Sequence, residues 1–224
     1  MVPATSPVPD LEAPRDCPLC PRLVAFRAAL REAHPGWWNA PVPHFGDSEA
    51  WLVVCGLAPG KQGANRTGRP FTGDYAGLLL YETLLKFGLA QGRFEERPDD
   101  GLRLRGVAIL NSVKCVPPWN KPVPEEIATC TKAYFQPALA ALGGARVMVA
   151  LGKIAHDAAV RSAGGRLAAF PFGHLAEHRL PDGRILIDSY HCSRYNQNTN
   201  RLTRDMFERV FERALEVKRA AFET

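Results

Sequence analysis

The chain has 224 residues, of which 46% are hydrophobic and 23% are charged, a composition typical of a globular protein with one substantial core. No apolar run approaches the roughly 18 residues that a membrane-spanning helix needs, so the sequence excludes membrane insertion. The formal net charge of +5 favours a polyanionic partner without identifying one.

Residues 1–16 contain four prolines and few large apolar groups, which predicts a disordered leader before a single domain over 17–224. Strands are then predicted at 51–55, 106–111, 146–151 and 184–190, and helices at 19–33, 75–88, 124–142, 153–163 and 203–221. Apolar strands that alternate with helices are typical of a parallel sheet covered on both faces. The sequence therefore predicts an α/β fold with a central, mostly parallel, four-stranded sheet.

Four cysteines have a spacing that suggests a metal site. Cys17 and Cys20 form a C-x2-C pair, and Cys115 and Cys130 follow far downstream. Because no signal peptide precedes them, we expect a reducing cytoplasm, where disulfides are rare. Four thiolates suit an iron–sulfur cluster or a zinc ion. The alternative is two unrelated reduced pairs, since cysteine is often a small buried apolar residue.

Small, polar and titratable residues follow each of the four predicted strands, at 56–60, 111–112, 152–153 and 191–193. Open α/β sheets bind ligands at the carboxyl ends of their strands. We therefore expect these four segments to line one shared cleft.

The segment after the first strand, 56–74, contains five glycines, with Lys61, Arg66 and Arg69 beside them. Such a segment lets backbone amides approach a ligand closely. It is not a nucleotide-binding P-loop, because the spacing from Gly56 to Lys61 is one residue too short and Gln62 stands where a metal-binding Ser or Thr belongs. The alternative is a flexible surface loop.

Three segments, 56–77, 111–122 and 191–203, resemble the iron–sulfur uracil-DNA glycosylases, and most closely their type B, or family 5, branch. The resemblance covers nearly the whole chain beyond the leader, including the spacing of the four cysteines. It implies a three-layer α/β/α domain and a 4Fe–4S cluster, rather than zinc, on Cys17, Cys20, Cys115 and Cys130. It also implies hydrolytic removal of uracil and other deaminated bases from DNA, which leaves an abasic site for base excision repair.

Two residues are predicted to be catalytic. Breaking the N-glycosidic bond leaves positive charge on the sugar and negative charge on the base. Asp74 is suited to stabilise the sugar cation or to activate water, and its alternative role is to cap a helix. His191 is suited to donate a hydrogen bond to the base oxygen, and its alternative role is structural. Leu57 stands where the type A branch carries an acidic residue, which favours type B and moves the catalytic role to Asp74.

The predicted base-binding residues are Gly56, Leu57, Ala58, Phe71 and Asn111. An enzyme that acts on a base must extrude it from the stack. Phe71 would stack on the extruded base, unless it is an ordinary core aromatic. Asn111 offers both a donor and an acceptor, so it can read a base edge.

The predicted DNA-binding residues are Lys61, Arg66, Arg69, Ser193, Arg194, Tyr195, Asn196 and Arg201. Most belong to the loop 191–203, which can bond phosphates or the orphaned partner base. Tyr195 could wedge into the gap that the extruded base leaves. Asn200 could adopt a left-handed backbone where the branch commonly has glycine. The alternative is a solvated connection to the last helix.

The predicted partner is DNA that contains uracil or other deaminated bases. We expect a monomer in a prokaryotic cytoplasm, associated with the nucleoid, and we expect the cluster to be structural because hydrolysis needs no electrons. Two other classes stay open, a non-catalytic nucleic-acid-binding iron–sulfur protein and an iron–sulfur redox protein. The first would keep its function after Asp74→Ala, and the second would leave the glycine-rich segment unexplained.

Overall fold

The computed structural model describes residues 6–222. Within that range the strands are β1 (Phe45–Gly46), β2 (Leu52–Gly56), β3 (Ala90–Gln91), β4 (Arg103–Leu104), β5 (Val107–Asn111), β6 (Val147–Leu151), β7 (Glu177–Arg179) and β8 (Ile185–Ser189). The helices are α1 (Pro21–Ala33), α2 (Ala64–Thr67), α3 (Tyr75–Lys86), α4 (Pro124–Cys130), α5 (Gln136–Ala141), α6 (Lys153–Ser162), α7 (Arg194–Asn198) and α8 (Arg204–Phe222). A π-helical turn, Thr131–Phe135, joins α4 to α5. None of these helices has the length and apolar character that crossing a bilayer demands.

The main sheet has six strands in the order β1-β5-β2-β6-β8-β7. The four central strands are parallel, and β1 and β7 pair antiparallel with them at the two edges. The predicted mostly parallel sheet is therefore confirmed, and its four predicted strands are the central ones. The sequence did not reveal the edge strands because two or three residues are too few for a recognisable pattern.

Helices cover both faces of the sheet, which gives the three layers that the resemblance implied. Alternate residues of each strand point to opposite faces. One face packs against α3 and α8, and the other packs against α5 and α6. The apolar stripe by which α8 packs on the sheet consists of Phe207, Val210, Phe211 and Ala214, which are all fully buried.

The segment before α1 packs against the domain. Residues 1–5 of the predicted leader lie outside the described residues, whereas Val8 is buried. The carboxylate of Glu12 lies 2.7 Å from the ammonium of the buried Lys114 and accepts a hydrogen bond from the backbone N–H of His44. This arrangement differs from the expected disorder because a buried cation requires a counter-ion, a need that proline content does not reveal.

Candidate active site and thiol cluster

A cavity of about 470 Å³ opens at the carboxyl edge of the sheet, a size within the usual range for small-molecule sites. Residues that follow β2, β5 and β8 line it. Both predicted catalytic residues and four of the five predicted base-binding residues are in its wall, namely Asp74, His191, Leu57, Ala58, Phe71 and Asn111. The fourth predicted segment, 152–153, does not line the cavity; Gly152 instead lies behind His191. The expected shared cleft therefore forms from three of the four strand ends.

The two carboxylate oxygens of Asp74 have different surroundings. Oδ1 accepts a hydrogen bond of 3.1 Å from the backbone N–H of Gly77 and so caps α3. Oδ2 faces the glycine-rich segment, where a Cβ at Gly63 would collide with it. Burial raises the pKa of Asp74, although the backbone N–H groups of Gly77 and Ala76 oppose the shift. Capping thus leaves one oxygen of an unusually basic carboxylate at the cavity.

His191 follows β8 and presents a neutral imidazole to the cavity. Burial lowers its pKa below the ordinary value, so the ring carries no charge at neutral pH. The side chain of Asn196 donates a hydrogen bond of 2.8 Å to the backbone carbonyl of His191 and holds the start of the loop. Neither ring nitrogen is hydrogen-bonded to another described residue, so the imidazole is free to bond a ligand.

Phe71 forms an aromatic wall of the cavity. Its ring centroid lies 6.3 Å from that of His191, and the ring also packs against Gly56, where a Cβ would approach it to 3.1 Å. Gly56 lies behind the wall rather than in it. The backbone of Phe71 is left-handed, with a φ of 51°, which a non-glycine residue adopts only at a free-energy cost. The surrounding fold therefore holds this ring in a strained but defined position.

Asn111 ends β5 and is 5% exposed. Its Oδ1 atom is buried without a hydrogen-bond partner among the described residues. This oxygen lies against Gly56, where an added Cβ would collide with it, so the side chain must rotate before a ligand in the cavity can reach it. A buried acceptor that stays unsatisfied is costly, which favours rotation toward a ligand with an N–H donor.

Asn120 is a cavity residue that the sequence analysis missed. Its Oδ1 accepts a hydrogen bond of 3.3 Å from the backbone N–H of Lys61, which ties the segment after β5 to the glycine-rich segment. Leu57 also lines the cavity, and its aliphatic side chain supplies no carboxylate there. The only signal for Asn120 was its place in the segment 111–122, and an asparagine in a proline-rich loop is by itself an ordinary turn residue.

Three of the predicted DNA-binding residues line the cavity, namely Lys61, Ser193 and Arg194. Ser193 also caps α7 by accepting a hydrogen bond of 3.3 Å from the N–H of Asn196. The guanidinium of Arg194 lies 5.0 Å from the ring centroid of Tyr75, a cavity residue. These groups place positive charge and a hydroxyl at the cavity.

Four other predicted DNA-binding residues lie outside the cavity. Arg66, Tyr195 and Arg201 are exposed, and the guanidinium of Arg201 lies 4.8 Å from the ring of Tyr190. Asn196 is turned inward by its bond to the carbonyl of His191. Asn200 has a φ of 55°, so the predicted left-handed backbone at this position is confirmed.

Arg69 requires a correction, because it cannot reach DNA phosphates. Its side chain is fully buried, and its two terminal nitrogens each lie 2.7 Å from a carboxylate oxygen of Asp100. The guanidinium also lies within 5.7 Å of the ring centroids of Phe45, Tyr81 and Phe94. A bidentate pair inside an aromatic cage holds the fold together, and its partner lies 31 residues further along the chain.

The four predicted metal-ligating cysteines line one pocket between α1 and α4, and all are free thiols. Three groups approach their sulfurs: the guanidinium of Arg27 at 3.4 Å from Cys115, the hydroxyl of Tyr134 at 3.2 Å from Cys17, and the backbone N–H of Lys114 at 3.2 Å from Cys130. Burial raises the pKa of Cys20 to about 11 and that of Cys130 to about 12, so metal binding would displace protons.

Four free thiols around one pocket form a donor set that is chemically suited to a metal centre.

A second cluster of histidine and aspartate lies on the far side of β8. The Nδ1 of His156 lies 2.7 Å from Oδ1 of Asp188, and its Nε2 lies 2.9 Å from the carbonyl oxygen of Phe170. His178 approaches the other carboxylate oxygen at 3.4 Å. Because both nitrogens of His156 face acceptors, the ring carries two protons and has no lone pair for a metal. We interpret this cluster as a buried ion pair.

Comparison with known proteins agrees with this geometry. A family model described as the Uracil DNA glycosylase superfamily matches residues 43–215. The chain belongs to that superfamily. It is 49% identical over 210 residues to the type-5 uracil-DNA glycosylase of Thermus thermophilus, an alignment that covers 92% of this chain and 94% of that one. The type-5 uracil-DNA glycosylase of Pyrobaculum aerophilum is 38% identical over 203 residues, which cover 89% of this chain and 88% of that one.

The similarity to type-4 relatives is shorter. The type-4 uracil-DNA glycosylase of Thermotoga maritima is 38% identical over 111 residues, which cover 49% of each chain. The resemblance to the type B, or family 5, branch is therefore confirmed.

Proposed function

We propose that this protein is a type-5 uracil-DNA glycosylase, which extrudes uracil and other deaminated bases from DNA and hydrolyses the N-glycosidic bond. The observation that carries the proposal is the composition of the cavity wall. The carboxylate of Asp74, the neutral imidazole of His191 and the unsatisfied amide of Asn111 line it together with the aromatic ring of Phe71. The names of the type-5 relatives point to the same reaction.

Phe71 and Asn111 bind the extruded base. The base stacks on the Phe71 ring, a contact worth roughly 1–3 kcal/mol, which offsets part of the cost of unstacking. The unsatisfied Oδ1 of Asn111 accepts a hydrogen bond from a ring N–H of the base, and its amide nitrogen donates to the neighbouring carbonyl. A bound base thus satisfies an acceptor that has no partner among the described residues once the Asn111 side chain turns to the cavity.

Asp74 and His191 perform the chemistry. The Oδ2 atom of Asp74 stabilises the cationic sugar and takes a proton from water, a task suited to a carboxylate whose pKa burial has raised. The neutral ring of His191 donates a hydrogen bond to the base oxygen as negative charge develops there. The side chain of Asn120, in the same wall, can hold the attacking water.

The surroundings of the cavity bind the DNA backbone. Lys61, Arg66, Arg194 and Arg201 supply charge for phosphates, and Tyr195, 71% exposed, fills the gap left by the base. We also propose that the chain acts as a monomeric single domain in a prokaryotic cytoplasm, in association with the nucleoid.

The pocket of four cysteines holds a 4Fe–4S cluster in this proposal. The four free thiols that line one pocket support it. The cluster joins α1 to α4 and supplies no electrons to the reaction, since hydrolysis is not a redox step. Anaerobic purification should give a brown protein that absorbs near the blue end of the visible range, and removal of the iron should lower the unfolding temperature. A colourless zinc protein with the same stability would contradict this part of the proposal.

The function is tested with a duplex oligonucleotide that contains one uracil. The purified holoprotein should convert it to an abasic site, which alkali then cleaves at that position. Duplexes with hypoxanthine or xanthine test the wider base range. Tight binding without excision of any of the three bases would identify a non-catalytic DNA-binding protein instead.

A further inference from the structure

Trp119 is the most exposed large hydrophobic side chain among the described residues, with 90% of its surface accessible. The chain has three other tryptophans, Trp37, Trp38 and Trp51, and all three are buried or half-buried. Full exposure of an indole costs hydrophobic free energy. Because only a tenth of the side chain is covered, contacts with the described residues recover little of this cost.

The backbone presents this ring in a fixed direction. Trp119 has a φ of 56° and a ψ of 19°, and Asn120 also has a φ of 56°. Two consecutive non-glycine residues in the left-handed region are uncommon and unfavourable. Pro117, Pro118 and Pro122 restrict the segment on both sides. The same turn directs the Asn120 side chain to the cavity, where its Oδ1 accepts a hydrogen bond from the backbone N–H of Lys61.

The position of Trp119 mirrors that of the exposed Tyr195. Trp119 lies in the segment after β5, and Tyr195 lies in the segment after β8. In the sheet, β2 and β6 separate these two strands. Trp119 directly precedes the cavity residue Asn120, and Tyr195 directly follows the cavity residue Arg194. Two exposed rings are therefore carried by segments that follow well-separated strands and that each contribute a residue to one cavity.

We propose that Trp119 is a DNA-contact residue, whose indole stacks on a base next to the extruded nucleotide in the strand that carries the lesion. This inference rests on the proposed function. The Cα atoms of neighbouring residues are about 3.8 Å apart, and successive bases of a strand are about 3.4 Å apart. A ring on the residue beside a cavity residue can therefore reach the base beside the cavity's nucleotide.

The surroundings of the ring favour DNA over a protein partner. Lys121 is exposed directly after Asn120, and the backbone N–H of Lys61 bonds Asn120, so two lysines adjoin the turn that carries the ring. A flat aromatic ring with adjacent positive charge is the usual combination for binding single-stranded or unstacked nucleic acid.

The test is equilibrium binding to a duplex that contains 2′-fluoro-2′-deoxyuridine, in which the glycosidic bond resists hydrolysis. Trp119→Ala and Trp119→Asn should bind roughly 10-fold more weakly than the wild type, and Trp119→Phe, which keeps a ring, should bind within about 3-fold. Asparagine tolerates the left-handed backbone, so a loss shared by both variants is not a folding defect. Val123→Ala, a second exposed apolar position in the same segment, is the matched control and should bind normally.

DNA should also quench the tryptophan emission of the wild type and not that of Trp119→Phe. Equal affinity of Trp119→Ala and the wild type, with no quenching by DNA, would overturn the inference. Failure of the wild type to excise uracil would overturn the proposed function alone, because the difference in affinity is measured without chemistry.

Discussion

The pair of His156 and Asp188 and the pair of His191 and Asp74 both lie near the carboxyl ends of strands, and their surroundings are opposite. His156 and Asp188 bond each other, and the remaining nitrogen of the histidine meets a carbonyl. His191 and Asp74 line one cavity, and each keeps a polar atom free for a ligand. The pKa directions differ in the same way. Burial lowers the pKa of His191. Burial acts in the same direction on His156, but the hydrogen bond to Asp188 and its negative charge are stronger, so the pKa of His156 is raised.

This difference separates a structural pair from the proposed catalytic pair more clearly than residue identity does. Where each partner satisfies the other, the pair contributes to stability and has nothing left to offer a substrate. Where partners are absent, the fold has kept its polar groups available, which is typical of functional sites. Substitutions at the two aspartates should therefore affect different properties.

The largest expected effect is on the rate of excision. Asp74→Asn keeps an oxygen that can cap α3 but removes the base, so the single-turnover rate of uracil excision should fall by roughly 10²- to 10⁴-fold. The affinity for an uncleavable duplex and the unfolding temperature should change little. A variant with wild-type excision would show that the catalytic carboxylate lies elsewhere.

The matched substitution in the other pair should act on stability. Asp188→Asn leaves a buried imidazolium without its counter-ion, so the free energy of unfolding should fall by about 3 kcal/mol, measured by urea titration. The excision rate per folded molecule should stay within a few-fold of the wild type. A large loss of rate with unchanged stability would contradict the assignment of this pair as structural.

The effect of pH on the free energy of unfolding should be smaller than the effect of these substitutions. It should again distinguish the His156–Asp188 pair from the pair in the cavity. The folded pKa of His156 is raised, so its stabilisation is complete below its unfolded pKa of about 6.5 and is lost as pH rises through the folded pKa. The difference in unfolding free energy between the wild type and His156→Gln should therefore shrink from pH 6 to pH 9.

Excision should respond to pH in the opposite sense. The pKa of Asp74 is raised, so the rate should increase as pH rises through that value and the carboxylate ionises. The pKa of His191 is lowered from its ordinary value of 6.5, so the ring stays neutral above pH 7. Asp74→Asn should lose this rise in rate, and a variant that keeps it would assign the titration to another group.

The sequence predicted the architecture well because its signal is periodic. The four central strands and the five long helical segments lie within a few residues of their predicted positions. The meeting of four residues in one cavity was predictable because each lies at or after a strand end or belongs to a motif with known spacing, namely Asp74, His191, Phe71 and Asn111. Strand ends of a parallel sheet meet at one edge, so order along the chain determined their proximity.

The errors have a common physical cause, which is long-range pairing. Arg69 was assigned to DNA because its charge was visible and its partner, Asp100, was not. His156 and Asp188 went unnoticed for the same reason, although an aspartate in an apolar strand needs a partner. The left-handed backbones of Phe71 and Trp119 could not be predicted either, because glycine is the residue type that signals this conformation and neither residue is a glycine.

The most direct test of the account is a crystal structure with a duplex that contains 2′-fluoro-2′-deoxyuridine. The account predicts uracil inside the cavity, stacked on Phe71, with a ring N–H bonded to Oδ1 of Asn111 and the sugar next to Asp74. A uracil that stays in the duplex, or that binds away from these three side chains, would contradict it.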